Sequence, residues 1–359
     1  MPAPLPLAPR PYAGEAISSW VKRVAARYDI AAHHLVSHLL DGYRVSVGRT
    51  QRLDHRADAT LEVALGKATR FDLARIESLR IAGDDGSASC WHRMCPAWCP
   101  ACIRGDLAHL GEVYERAIWR LGCCVLCPRH GVALEDTCRH CTAEAPCHFR
   151  GVNGLLRLAC NTCGWQVDPA LCRNGGLDDE GARVLGVRLT PSLTQRIGNL
   201  QSDALAAFGG SVPHRSWGLV PSASHLISAS HLIDAIRELA VCIIVATGTK
   251  FIPRIELPEP QVGPAASPIY EPITLASLPI DAARGVLGIV AAMLANLELE
   301  SRSRHRWRSD PTAPIMTVVS FVERLSAEGR RLLQSWAATW ECPAGEALRA
   351  AMTAVEGLV

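Results

Sequence analysis

The chain has 359 residues, enough for two or three domains with substantial cores. Formal net charge is only +2, which excludes a global basic field for nucleic acid and leaves only local patches for such contact. The apolar runs 239–246 and 285–295 are too short to cross a bilayer, and the proline-punctuated first 14 residues lack a signal-peptide core. A cytoplasmic protein with no membrane partner is expected, and fifteen cysteines in a reducing compartment point to metal rather than disulfides.

In chain order, the proline-rich residues 1–13 form an extended arm. A helix is predicted to start near Glu15, because Ile17, Trp20, Val21 and Val24 recur at helical spacing. Lys22, Arg23 and Arg27 fall on its other faces. A second helix is expected over 31–40, with Leu35, Val36, Leu39 and Leu40 inward. The short Tyr28-Asp29-Ile30 link makes a helical hairpin, like part of a helix-turn-helix. More helix is predicted around 61–65 and 73–81, and Asp84 to Ser87 read as a loop. After the cysteine-rich middle, helices are expected over 191–208, 222–247, 279–299, 315–340 and 343–355, with a proline-rich loop at 253–272. No strand is expected outside the middle. The predicted fold is mainly α, in three domains. These are a helix-turn-helix-like domain with its arm (1–88), a central tandem zinc-finger or zinc-ribbon region (89–175) and a helical C-terminal domain (176–359).

The middle contains four paired units, Cys99-Pro-Ala-Cys102, Cys127-Pro-Arg-His130, Cys138-Arg-His-Cys141 and Cys160-Asn-Thr-Cys163. Two residues between ligands let a tight turn aim both side chains at one ion, and tetrahedral Zn²⁺ needs two such pairs. Taken in order, the first two units give a three-cysteine, one-histidine site and the last two a four-cysteine site. Two structural Zn²⁺ per chain are therefore predicted. Loops of 24 and 18 residues separate the paired units, each enough for a short helix or hairpin. Gly131 and Gly164 follow the second ligand of their units, where a left-handed residue releases the chain.

The register has competitors. Cys124-Val-Leu-Cys127 is also a CxxC, and Cys95 precedes Cys99 by four. Cys123, Cys124, Cys147 and Cys172 read as buried thiols. His92, His109, His140 and His148 read as non-ligands. Four filled positions per site leave none open for water, so the ions read as scaffold and no catalytic residue is expected. Pro96 to Cys102 looks superficially like the deaminase Pro-Cys-x-x-Cys element, but no His-x-Glu or Cys-x-Glu precedes it.

For nucleic acid, Arg302, Arg304, Arg306 and Arg308 with Trp307 form the densest basic-aromatic cluster. Arg44, Arg49, Arg52, His55 and Arg56 form a second. Arg116 and Arg120, between the first two metal units, are expected on a solvated face, with a phosphate or partner carboxylate as the functional alternative.

Several of these residues together resemble the TniQ family of transposition proteins, which includes the target-selecting TnsD proteins. The resemblance rests on Gly14-Glu15-Ala16-Ile17-Ser18-Ser19-Trp20, Cys99-Pro-Ala-Cys102, Tyr114, Trp119-Arg120-Leu121, Cys127-Pro-Arg-His130-Gly131 and Cys138-x-x-Cys141. It covers residues 1 to about 165. It implies a non-catalytic accessory protein that recognises target DNA or an RNA-guided CRISPR effector complex and recruits an AAA+ transposition ATPase. It also implies that homodimers can occur. A zinc-containing transcription regulator is the alternative, predicting autonomous sequence-specific binding without an ATPase partner.

Overall fold

The computed structural model describes residues 4–40, 52–56, 58–81, 91–93, 95–138, 140–141, 146–167, 183–184, 187–188, 191–208, 274–288 and 290–291, with a few positions in 233–240 and 334–353. The chain forms two compact units, residues 1–179 with 208–210, and residues 180–207 with 211–359.

In the first unit, helix α1 (Ile17–Ala26) and helix α2 (Ala32–Leu39) form the expected hairpin, with Asp29 in the left-handed region at the link. The stripe Ile17, Trp20, Val21 and Val24 is fully buried and meets Leu35, Val36 and Leu39 of α2. Each such side chain stabilises the fold by roughly 1.5–3 kcal/mol through area removed from water. Helix α3 (Ala59–Thr69) closes the same core with Leu61 and Leu65, and short helix α4 (Leu73–Glu77) adds Ile76. Both use aspartate caps: Asp58 accepts from Leu61 N at 3.1 Å and Asp72 from Ala74 N at 3.1 Å.

No side chain of its own caps α1. The orphan amide of Ser18 instead donates to the Asp54 carboxylate at 2.8 Å, and the Ser18 hydroxyl donates to it at 2.6 Å. A carboxylate at a helix N-terminus is favoured there by the helix dipole. Long-range contact thus replaces the local cap that the sequence Gly14-Glu15-Ala16 does not provide.

The cysteine-rich stretch supplies helix α5 (Pro100–Leu110), a 3-10 turn (Ala117–Arg120) and an antiparallel hairpin of β1 (Cys147–Val152) and β2 (Leu155–Cys160). Asn153 and Gly154, both at positive φ, make the two-residue turn. Gly151 of β1 lies against α1; a Cβ there would stand 3.0 Å from Ala26 Cβ and 3.2 Å from its Cα, so a side chain would require α1 or the strand to give by a few tenths of an ångström.

In the second unit, helix α6 (Pro191–Phe208) matches its predicted span, with proline in the first turn and Leu193, Ile197, Leu200 and Ala204 buried along one face. Residues 280–288 and 290–291 are helical within the expected 279–299 helix. The expected helices at 222–247, 315–340 and 343–355 fall almost wholly outside the described residues. The expectation of no strand beyond the middle is corrected: β3 (Arg183–Val184) and β4 (Val187–Arg188) pair antiparallel there. Two β-branched valines flanked by arginines suit such a ribbon, which is too short to show in periodicity. Among the described residues no helix is long and apolar enough to cross a membrane.

Candidate metal centres

Two clusters of potential ligands form in the first unit, Cys99, Cys102, Cys127 and His130, and Cys138, Cys141, Cys160 and Cys163. Within each, the four ligand atoms lie within 4.8 Å of one another. These are the eight side chains named from spacing, in the same two groups of four.

Local structure explains the first cluster. Cys99 is the N-cap of α5 with Pro100 in the first helical position, and its sulfur accepts from Cys102 N at 3.5 Å. Helix propagation then turns Cys102 back onto Cys99. The second unit is a tight turn released by Gly131, whose φ is +67° and whose amide donates to Cys127 O at 2.8 Å. Sulfur–sulfur and sulfur–nitrogen separations are 3.7 Å (Cys102 to Cys127), 3.3 Å (Cys102 to His130 Nδ1) and 3.5 Å (Cys99 and Cys127 to His130 Nδ1). A tetrahedron with metal–sulfur bonds of about 2.3 Å has edges of about 3.8 Å, shorter where nitrogen replaces sulfur. Hydrogen bonds from the Cys102 and Cys99 thiols hold the Cys127 thiol below its ordinary value, toward the thiolate that a cation takes as ligand.

In the second cluster Cys138 and Cys163 are 3.8 Å apart, as are Cys141 and Cys160. Cys160 ends β2, and its sulfur accepts from Thr162 N at 3.3 Å and Cys163 N at 3.5 Å. Cys138 accepts from His140 N at 3.4 Å. Gly164, at φ +69°, releases the chain as Gly131 does.

The other described cysteines fall outside both clusters. Cys123 and Cys124 are buried, and burial pushes the Cys123 thiol up to about 12. Cys95 is half-buried. Cys147 is buried opposite Cys160 in the β ladder. Cys172 lies outside the described residues. Exposed His140 stacks on Trp165, rings 5.2 Å apart and 9° from parallel.

Arg116 and Arg120 require a correction: neither lies on a solvated face. Arg120 is fully buried, donating to Glu115 Oε2 at 2.7 Å and Arg93 O at 3.2 Å, with Asp54 at 3.9 Å. Arg116 is locked onto Asp106 through two bonds of 2.7 Å and stacks over Trp119. Arg23, on another face of α1 than the apolar stripe, is buried as well. It is buried between Glu15 at 2.7 Å and Glu112 at 3.0 Å, with Arg27 on the same Glu112 oxygen at 2.7 Å. Backbone bonds run alongside, from Ala16 N to Glu115 O and from Ala117 N to Gly14 O, both at 2.9 Å. The Gly-Glu and Trp-Arg-Leu signatures are thus two sides of one ionic seam between α1 and the cysteine-rich stretch. Charge patterning along a single helix could not show this, because the partners lie about a hundred residues away.

Burial outweighs the Arg23 partner at Glu15 and pushes its carboxyl up from 4.5 to about 7. The folded state then holds the proton where the unfolded state releases it, so this contribution falls as pH rises from about 4.5 to about 7. Glu15→Gln should flatten that slope. In paired denaturant titrations from pH 5.5 to 7.5, the variant should gain on the native protein with rising pH, by at most about 1.4 kcal/mol per unit. A constant difference across the range would refute this origin of the slope.

Of the nucleic-acid candidates, Arg302, Arg304, Arg306, Trp307 and Arg308 lie outside the described residues, as do Arg44 and Arg49. Arg52 and Arg56 are exposed. His55 is not a free cation: burial, then the His92 ring 4.3 Å away, brings it down to about 4.

No curated protein matches the chain. Residues 6–134 match the TniQ family. That span holds the arm from residue 6, α1 to α5, the ionic seam up to the 3-10 turn, and the first cluster whole, and it stops before Cys138. The match over residues 6–134 supports a TniQ-family transposition protein.

Proposed function

We propose that the chain is a non-catalytic transposition adaptor: it recognises target DNA or a guide-RNA complex and recruits an AAA+ ATPase. The observation carrying this reading is the TniQ match across the arm, α1 and the first cysteine–histidine cluster. The donor chemistry of seven thiols and one imidazole, at tetrahedral spacing, fits Zn²⁺. Cys99, Cys102, Cys127 and His130 would hold one ion, and Cys138, Cys141, Cys160 and Cys163 the other. Bound there, the ions supply cross-links rather than Lewis-acid chemistry, because protein ligands fill all four positions of each.

The roles divide along the chain. The helix-turn-helix-like 1–88 and the metal-organised 89–175 form the recognition body, and 176–359 carries further partner surface, including the Arg302 to Arg308 cluster for nucleic acid. The protein acts in the cytoplasm. Tagged, metal-loaded protein should retain the cognate AAA+ ATPase in a pull-down, and added target DNA or effector complex should increase the yield. Autonomous sequence-specific DNA binding with no ATPase retained would instead favour a transcription regulator.

A further inference from the structure

A cavity of about 530 Å³ opens between the N-terminal arm and the corner joining α3 to α4. Arg10, Arg70 and Arg75 line it with Trp20, Phe71 and Asp72, and it shares no residue with the two clusters. All three arginines are exposed, and among the described residues no carboxylate or carbonyl takes their guanidinium groups. The single carboxylate on the rim, Asp72, already accepts from Ala74 N. The cavity wall is held in shape: Trp20 Nε1 donates to Pro9 O at 2.7 Å, and the Phe71 ring lies 5.6 Å from Trp20.

Arg70 is itself anomalous. It ends α3 at φ +56°, in the left-handed region where glycine is the usual residue. A β-carbon is strained there, so local folding does not explain an arginine, whereas a charge needed in the cavity does.

We propose that this cavity binds a nucleotide unit, with its phosphate among Arg10, Arg70 and Arg75 and its base against Phe71. Three separate guanidiniums suit a phosphate, which offers several charged oxygens at once, better than a carboxylate, which offers one fork. The aromatic wall suits a base of any identity, as in single-strand recognition. The unit comes either from a free mononucleotide or from a single strand. This goes beyond the adaptor reading and stands or falls separately from ATPase recruitment.

The test uses the full metal-loaded chain, titrated with deoxyadenosine monophosphate and, by fluorescence anisotropy, with a labelled single-stranded oligonucleotide. Arg75→Ala and Arg70→Gly should each weaken binding at least 5-fold, while Arg104→Ala, a cation on α5, should change it less than 2-fold. Glycine suits the left-handed position, so Arg70→Gly keeps the fold, checked by an unchanged melting curve. Saturation by the mononucleotide assigns the free source; binding of the oligonucleotide alone assigns the strand. The proposal is overturned if neither probe binds, if Arg70→Gly binds as the native chain does, or if a glutamate-rich peptide displaces the strand better than the mononucleotide.

Discussion

Cys138→Ser, combined with Cys147→Ala, is expected to lower the bound metal from two ions per chain to one and to unfold the β1–β2 hairpin. The second substitution matters because Cys147 is buried opposite Cys160 and burial pushes its thiol up, with the neighbouring Cys138 and Cys160 adding to the shift. A fifth thiol so close can replace a lost ligand. The effect is large because structural zinc contributes about 10–16 kcal/mol of apparent binding free energy in small domains, and here that free energy is folding free energy. Elemental analysis should give two ions for the native chain and one for the double variant. Hydrogen exchange should show protection lost over residues 138–164 and retained in α3. A variant that keeps both ions and its hairpin protection would remove the assignment of Cys138 as a ligand.

Arg120→Ala should cost about 3–5 kcal/mol, the loss typical of removing one partner from a buried ion pair. The substitution leaves the buried Glu115 carboxylate with Lys22 at 3.9 Å as its nearest cation and the buried Asp54 carboxylate with His92 at 3.8 Å. Burial alone would raise the Asp54 carboxyl; His92, Arg120 and Ser18 together hold it below its ordinary value. Arg120→Lys should recover only part of the loss, since one ammonium cannot reach both Glu115 and the Arg93 carbonyl in the fork geometry. Arg150→Ala, at an exposed arginine bonded only to Gly164 O among the described residues, should stay within about 0.5 kcal/mol. Denaturant midpoints in excess metal measure all three. An Arg120→Ala midpoint indistinguishable from that of Arg150→Ala would show that the seam contributes nothing net.

The two metal clusters were legible in the sequence because ligand spacing is a local property. Cys-x-x-Cys and Cys-x-x-His can each be read within four residues, and the glycine after the second ligand marks the release of the turn. The amphipathic stripes of α1 and α2 were legible for the same reason. The seam was not. A charged residue on a helix reads as solvated until its partner is known, and Arg23 meets Glu112 across 89 residues. The hairpin had a signal that could have found it: Asn153-Gly154 between apolar flanks is the strongest short-range mark of a two-residue turn. The β3–β4 pair offered none, with two residues per strand.

The position of Glu112 bears on how such a protein can be cut. Its carboxylate takes Arg23 and Arg27 from α1, while the amide of Leu156 in β2 points to it at 3.5 Å. A fragment ending at residue 88 would uncover the α1 face that meets the hairpin and leave Arg23 with Glu15 as its one carboxylate. Chimeras that exchange this first unit should therefore be joined beyond residue 167. The piece that keeps the seam whole is the arm, the helices and both cysteine clusters together.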